Sequence, residues 1–258
     1  MPGRDYGMLR RDFLLATGTW GIHGSTFGVD SAERGLEVQA HRGRRWTCYS
    51  VDPTRQSLDL FLYGDAGAPL RSFPALERHL AKQRRRLILA MNAGMFEADG
   101  APVGWCVVNG KTITGPNTKA GEGNFYLKPN GVFAVQDGKA VVRETTAAVD
   151  TLGNASLVTQ SGPMLVNSGV VHAAFKEGSP NRHIRNAVGV RADGMVWLAI
   201  SEEPVSFHES ATLFRDGLGC PNALFLDGVI SRLHAPMLGR QGGAAALGPL
   251  LVVTEPVS

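Results

Sequence analysis

Apolar residues in this chain fall in short runs broken by Asn-Gly, Asp-Gly and Pro-containing turns. Trp46-Thr47-Cys48-Tyr49-Ser50-Val51 and Leu58-Asp59-Leu60-Phe61-Leu62-Tyr63 read as two strands joined by the turn Asp52-Pro53-Thr54-Arg55. The period then changes. Phe73, Leu76 and Leu80 recur at helical spacing, which predicts a helix over residues 73–82. Leu87-Ile88-Leu89-Ala90-Met91 forms a strand that delivers Asn92. Residues 104–108 and the run from Lys111 flank Asn109-Gly110, a hairpin turn. Asn124-Phe125-Tyr126-Leu127 and Val132-Phe133-Ala134-Val135 flank Pro129-Asn130-Gly131, which reads as another hairpin. After a polar connection comes the strand Leu157-Val158-Thr159-Gln160.

The second half follows the same grammar. Leu165-Val166 and Val170-Val171 bracket Asn167-Ser168-Gly169, and residues 187–191 and 195–201 turn at Ala192-Asp193-Gly194. Residues 207–218 read as a helix with Leu213, Phe214 and Leu218 inward. A strand follows, Leu224-Phe225-Leu226-Asp227, stopped by Gly228. Short strands with two clear helices predict one α+β domain, a mixed, largely antiparallel central sheet with flanking helices. No period argues for repeats.

Asp227 gives this pattern chemical content. A lone carboxylate at the end of a core strand must be hydrogen-bonded, paired or functional. Capping of its own turn is the ordinary explanation. Three other segments also join a strand-like run to polar and Gly positions: Asn92-Ala93-Gly94-Met95-Phe96, Gln160-Ser161-Gly162-Pro163 and Arg185-Asn186-Ala187-Val188-Gly189. Such clustering favours a site.

Composition excludes several alternatives. With 258 residues, 43% of them hydrophobic, the chain has enough material for a proper core. A net charge of +3 is too small to argue for nucleic acid. The cluster Lys82-Gln83-Arg84-Arg85-Arg86 ends the first helix, where cations complement the helix dipole. No apolar run approaches the length of a membrane span. The three cysteines, Cys48, Cys106 and Cys220, form neither a disulfide framework nor a metal motif. Buried free thiols are expected, although an oxidising compartment would allow one pair. The seven histidines show no ligand spacing. Neither a metal nor a cofactor is expected.

The first residues have a different character. Leu9-Arg10-Arg11-Asp12-Phe13-Leu14-Leu15 matches the twin-arginine export pattern, and a modest apolar segment follows. Residues 1–32 are therefore expected to be an export leader and residues 33–258 the functional domain. The mature protein is expected to be periplasmic or secreted.

Taken in order, five segments resemble the phosphodiester glycosidase family, in its bacterial exported branch. They are Asn92-Ala93-Gly94-Met95-Phe96, the run from Asn124 to Phe133, the run from Gln160 to Val166, Arg185-Asn186-Ala187-Val188-Gly189, and Ala223-Leu224-Phe225-Leu226-Asp227-Gly228. The family's lysosomal branch carries a run of glycines after this Asp, where this chain has Val229-Ile230-Ser231-Arg232. The resemblance implies a hydrolase acting on a small-molecule or oligosaccharide phosphodiester, with cleavage at the anomeric carbon through an oxocarbenium-like transition state. Phosphate is a good leaving group, so the main demand is to hold it and stabilise its growing charge.

Arg185 suits that task through its guanidinium fork, the alternative being a surface ion pair. Backbone N–H groups at Gly94 and Gly162 are placed to add oriented dipoles, and Gly228 completes the substrate-binding set. Asp227 is the first choice for the carboxylate that activates water or attacks the sugar. Glu202 and Glu203 are the alternatives for a second. Adjacent residues at a strand end point to opposite sides, so at most one of the two faces the site. Asn92 and Asn186 fit either sugar-hydroxyl contacts or turn stabilisation. Ser161 lacks the Gly-framed elbow of serine hydrolases and reads as a ligand-contacting or turn serine. His183 and His208 read first as structural. Two other functions remain open: a non-catalytic carbohydrate-binding envelope module, and a phosphoesterase that cuts the P–O side.

Overall fold

A computed structural model describes residues 36–227, 230–236 and 239–257. The expected leader and Gly228 lie outside these described residues. In chain order the first elements are β1 (Leu36–His41), β2 (Arg44–Val51), β3 (Ser57–Phe61), α1 (Phe73–Lys82) and β4 (Arg85–Asn92). The middle of the chain supplies β5 (Cys106–Val108), β6 (Lys111–Thr114), β7 (Gly131–Gln136), β8 (Lys139–Glu144), α2 (Thr145–Val149) and β9 (Leu157–Ser161). Next come β10 (Met164–Asn167), β11 (Val170–Val171), β12 (Asn186–Val190) and β13 (Val196–Ser201). The last are α3 (Phe207–Thr212), β14 (Asn222–Asp227), β15 (Leu233–His234) and β16 (Leu250–Pro256).

These strands form three sheets. One has the order β1-β2-β13-β12-β14-β10-β11, the second β15-β4-β16-β3 and the third β6-β5-β9-β7-β8. Their inner faces share one core, to which Tyr49, Leu58, Met91, Phe133, Val188, Leu224 and Leu251 contribute. Strand alternation sends the next residue outward. Ala187 and Phe225 therefore join Phe214 in a layer beneath α3. Val252 joins Phe73, Leu76 and Leu80 beneath α1, and Val132 joins Ala148 of α2. The molecule is a single sheet-dominated domain in which short helices cover outer faces.

The expected α+β domain with a mixed, largely antiparallel central sheet is thus met in its antiparallel character and single domain, and corrected in its balance: sheets dominate and the helices are few. Every strand pair among the described residues is antiparallel. Short runs joined by tight turns favour that pairing, because parallel neighbours need long crossovers. The expected helix over 207–218 is α-helical only to Thr212, then widens to a π turn over Leu213–Gly217. That turn sets Phe214 against Gly189, where a Cβ would meet the ring at 2.5 Å.

The expected hairpin at Pro129-Asn130-Gly131 is also absent. Asn124–Tyr126 is a single 3-10 turn, and the Asn130 side chain donates to the Phe125 carbonyl at 3.0 Å. That bond closes a compact loop instead of a ladder. The true hairpin joins β7 to β8 through Asp137 and Gly138, with φ of 52° and 71°. Both values match a two-residue type I′ turn.

The basic run after α1 lies at the surface in ion pairs. Lys82 meets Asp65 at 2.6 Å, Arg86 meets Glu255 at 2.7 Å, and Arg85 pairs with Asp59. Cys48, Cys106 and Cys220 are free and buried, and burial pushes each thiol up to about 12. Among the described residues no helix is long and apolar enough to cross a membrane.

Candidate active site

Three strand termini meet at one place: the end of β4 at Asn92, the start of β12 at Asn186 and the end of β14 at Asp227. Asn186 lies opposite Asp227 while Ala187 lies opposite Phe225, so β14 carries one extra residue there. Such a bulge re-aims the side chains beside it. The Asn186 amide donates to the Asn92 carbonyl at 2.8 Å and to Asn92 Oδ1 at 3.2 Å. Its own Oδ1 accepts from Asp227 N–H at 3.1 Å and from the Ser231 hydroxyl at 3.1 Å. Asn92 Oδ1 accepts from Arg232 N–H at 2.8 Å. The two asparagines thus tie the strand ends to the 230–232 segment. Asn92 Nδ2 is left buried with no hydrogen-bond partner.

Asp227 is only 6% exposed. Its Oδ1 accepts from Ile230 N–H at 3.4 Å, and its carbonyl accepts from the Ser231 hydroxyl. Turn capping is therefore one of its functions. Ser161 is fully buried and donates to the Leu226 carbonyl at 2.7 Å, which locks β9 to the end of β14.

Gly94 and Gly162 are sites of close chain approach. A Cβ on Gly94 would lie 2.9 Å from Thr159 Oγ1, and one on Gly162 would lie 2.6 Å from the Phe125 carbonyl oxygen. Gly162→Ala is accordingly expected to cost roughly 1–3 kcal/mol, because a backbone atom must move. For a domain of this size that is a fall in Tm of about 2–4 °C per kcal/mol, read by thermal denaturation.

Ser231 and Arg232 also line a polar cleft of about 320 Å³, together with His183, Ser201, Glu202 and Arg240. Glu202 accepts from Thr47 Oγ1 at 2.5 Å and from the Arg240 guanidinium. Glu203 turns the other way, accepting from Arg45 N–H and Nε at 3.1 Å each. The Arg45 backbone N–H first, and then its guanidinium, hold this carboxyl below the usual range. Glu202 is thus the glutamate that faces the cleft. Glu202→Gln is expected to lower turnover by about 10²-fold or more, the scale of positioned acid–base groups. Glu203→Gln should remain within about twofold, as an exposed ion pair contributes little. Initial rates on both variants check this.

Arg185 points away from that cleft. It immediately precedes Asn186, and alternation sends its side chain toward α3. It is 1% exposed, and among the described residues no carboxylate pairs with it. Nε donates to the Val205 carbonyl at 3.0 Å and Nη2 to Asn181 Oδ1 at 2.9 Å. Nη1 is buried with no partner. Burial pulls the guanidinium down to about 10. The open surface ion pair is not found, and neither is a free fork, since Nε and Nη2 are already bonded to protein.

Ser231, Arg232 and Arg240 are site residues that the sequence did not single out. Ser231 and Arg232 lie within the run that follows Asp227, which is a usable signal. Arg240 reaches Glu202 from a distant loop and has no local signature.

Residues 85–235 match the sequence profile of the phosphodiester glycosidase family. The chain belongs to that family. The matched stretch contains Asn92, Ser161, Arg185, Glu202 and Asp227. An uncharacterized Escherichia coli (strain K12) protein, YigE, is 30% identical over 187 residues, which is 72% of each chain. The catalytic domain of zebrafish N-acetylglucosamine-1-phosphodiester alpha-N-acetylglucosaminidase, auto-inhibited by its pro-peptide, superposes with a TM-score of 0.60 at 15% identity. That match covers 85% of this chain and 81% of that one. A putative exported protein from Burkholderia pseudomallei superposes with a TM-score of 0.54 at 14% identity, over 81% of this chain and 74% of that one. At such identities the two structures speak for the fold alone.

Proposed function

We propose that this protein is an exported hydrolase that cleaves a glycosyl phosphodiester at the anomeric carbon. One observation carries the reading. Arg185 is a buried cation without a carboxylate partner, beside the strand end that holds Asp227, and its Nη1 is unsatisfied. An uncompensated buried charge is costly, and an oxyanion relieves that cost. A substrate phosphate takes Nη1 from the α3 side, the face of β12 away from the Glu202 cleft, displacing the contacts that bury it, and the bond strengthens as the leaving phosphate gains charge. Asp227 serves the sugar side by activating water or attacking C1. Glu202, held by Thr47 and Arg240, is the second carboxylate. Asn92, Asn186 and Ser161 hold the strand ends behind this site, and Gly94 and Gly162 allow the close chain approach that packs them.

In the net reaction the C1–O bond to phosphate breaks and the phosphate monoester leaves with the bonding pair. The oxygen of water ends on C1. Product analysis on a panel of sugar-1-phosphodiesters tests this: free reducing sugar plus a phosphomonoester is expected. A sugar phosphate plus an alcohol would mean cleavage on the phosphorus side. Binding without turnover would mean a carbohydrate-binding module.

Export rests on Arg10-Arg11 with Phe13 and Leu14. Changing both arginines to Lys is expected to leave unprocessed protein in the cytoplasm of a host with the twin-arginine pathway. Fractionation and immunoblotting read the result, and unchanged delivery refutes the assignment.

A further inference from the structure

Two arginines line the cleft that Glu202 faces, and several of their donors are unused. The Arg232 backbone is pinned: its N–H donates to Asn92 Oδ1 at 2.8 Å, and the next residue, Leu233, pairs with Met91 of β4. Its side chain is exposed and makes no hydrogen bond or ion pair among the described residues. Arg240 exchanges backbone hydrogen bonds with Ala235, at 2.9 and 3.2 Å. Its Nη1 donates to Glu202 and to Thr47 Oγ1, while Nε and Nη2 have no partner among the described residues. That free edge matches a planar carboxylate, which accepts two parallel N–H···O bonds from a guanidinium.

Local charge selects among anions. Arg232 and Arg240 bring two positive charges against one negative on Glu202, and His183 is the remaining titratable group on the lining. A single anionic charge neutralises such a cleft. A phosphate dianion would leave Glu202 facing excess negative charge at short range. The volume of about 320 Å³ lies at the lower end of the roughly 300–1,000 Å³ of small-ligand pockets, which suits one sugar ring. His183 and Gln241, both exposed on the lining, are left for ring hydroxyls. Arg185 lies on the other face of β12, so the group held here is not the scissile phosphate.

We propose that this cleft binds a carboxylate borne by the substrate's sugar, gripped by Arg232 and the free edge of Arg240, so that the protein acts on a glycuronosyl phosphodiester. The inference rests on the glycosyl-phosphodiester reading above and narrows its substrate class to acidic sugars. Both cations are fixed at the backbone before any ligand arrives, which lowers the cost of ordering them.

Glucuronate and galacturonate, each paired with its neutral parent hexose, are titrated calorimetrically into the purified full chain and into Arg232→Gln and Arg232→Lys. At least one uronate is expected to bind tenfold or more tighter than its parent. Arg232→Gln should lose about tenfold of that preference, the scale of one hydrogen bond to a charged group. Arg232→Lys, which keeps the charge but not the fork, should lose part of it. A preference absent from both pairs in the wild type, or kept in full by Arg232→Gln, overturns the carboxylate site. So does inorganic phosphate binding that Arg232→Gln abolishes, which gives the cleft to phosphate instead. Hydrolysis assays keep the two readings apart. A chain that cleaves neutral sugar-1-phosphodiesters and ignores uronates upholds the hydrolase and refutes the acidic sugar. One that binds uronates and cleaves no phosphodiester keeps the carboxylate site and refutes the hydrolase.

Discussion

Asp227→Asn is expected to lose several orders of magnitude in kcat while folding normally. The substitution keeps an Oδ1 that accepts from Ile230 N–H, now 3.4 Å away, and it leaves the carbonyl bond from Ser231 untouched. What it removes is charge and nucleophilicity. If Asp227 only caps its turn, the change costs about 1 kcal/mol or less and turnover survives. If Asp227 carries the chemistry, kcat collapses while ligand binding and Tm hold. Measuring kcat and Tm on the same preparation separates the two. A fully active variant moves the role to Glu202, the glutamate that lines the adjoining cleft.

Arg185→Lys should do two things at once. Lysine keeps the positive charge but not the geometry that reaches Val205 and Asn181, and it loses the planar contact with Phe207. Leaving those acceptors unpaired in a buried setting costs on the order of 1–3 kcal/mol. The second effect is functional. Phosphate at about a hundred times its Kd should stabilise the wild type by about 2.7 kcal/mol through mass action, and the variant by almost nothing. Thermal melts with and without phosphate read both effects. A variant stabilised as much as wild type places the anion site elsewhere.

Local features of the fold were legible because their causes are local. Helix α1 follows from Phe73, Leu76 and Leu80, and Ser72 caps it by accepting from Ala75 N–H at 3.4 Å. The β12–β13 hairpin follows from Asp193-Gly194, where Gly194 takes a φ of 88°. Pairing between distant strands leaves no such mark. β16 lies between β3 and β4, its Leu251 opposite both Leu60 and Met91, and no turn announces that insertion. The candidate site divides along the same line. Alternation alone separates Glu202 from Glu203 and Arg185 from Asn186. Which member of each pair meets solvent, core or cleft depends on α3, Arg45 and Arg240, all brought in by tertiary contacts. The fork expected of Arg185 failed for that reason: its acceptors, Asn181 and Val205, belong to the loops that flank it in space.

Hydrolysis of a sugar-1-phosphodiester in oxygen-18 water, with mass analysis of both products, tests the central claim most directly. Cleavage at the anomeric carbon predicts one heavy oxygen on the released sugar and none on the phosphomonoester. Label found on phosphorus, with the sugar unlabelled, would contradict it.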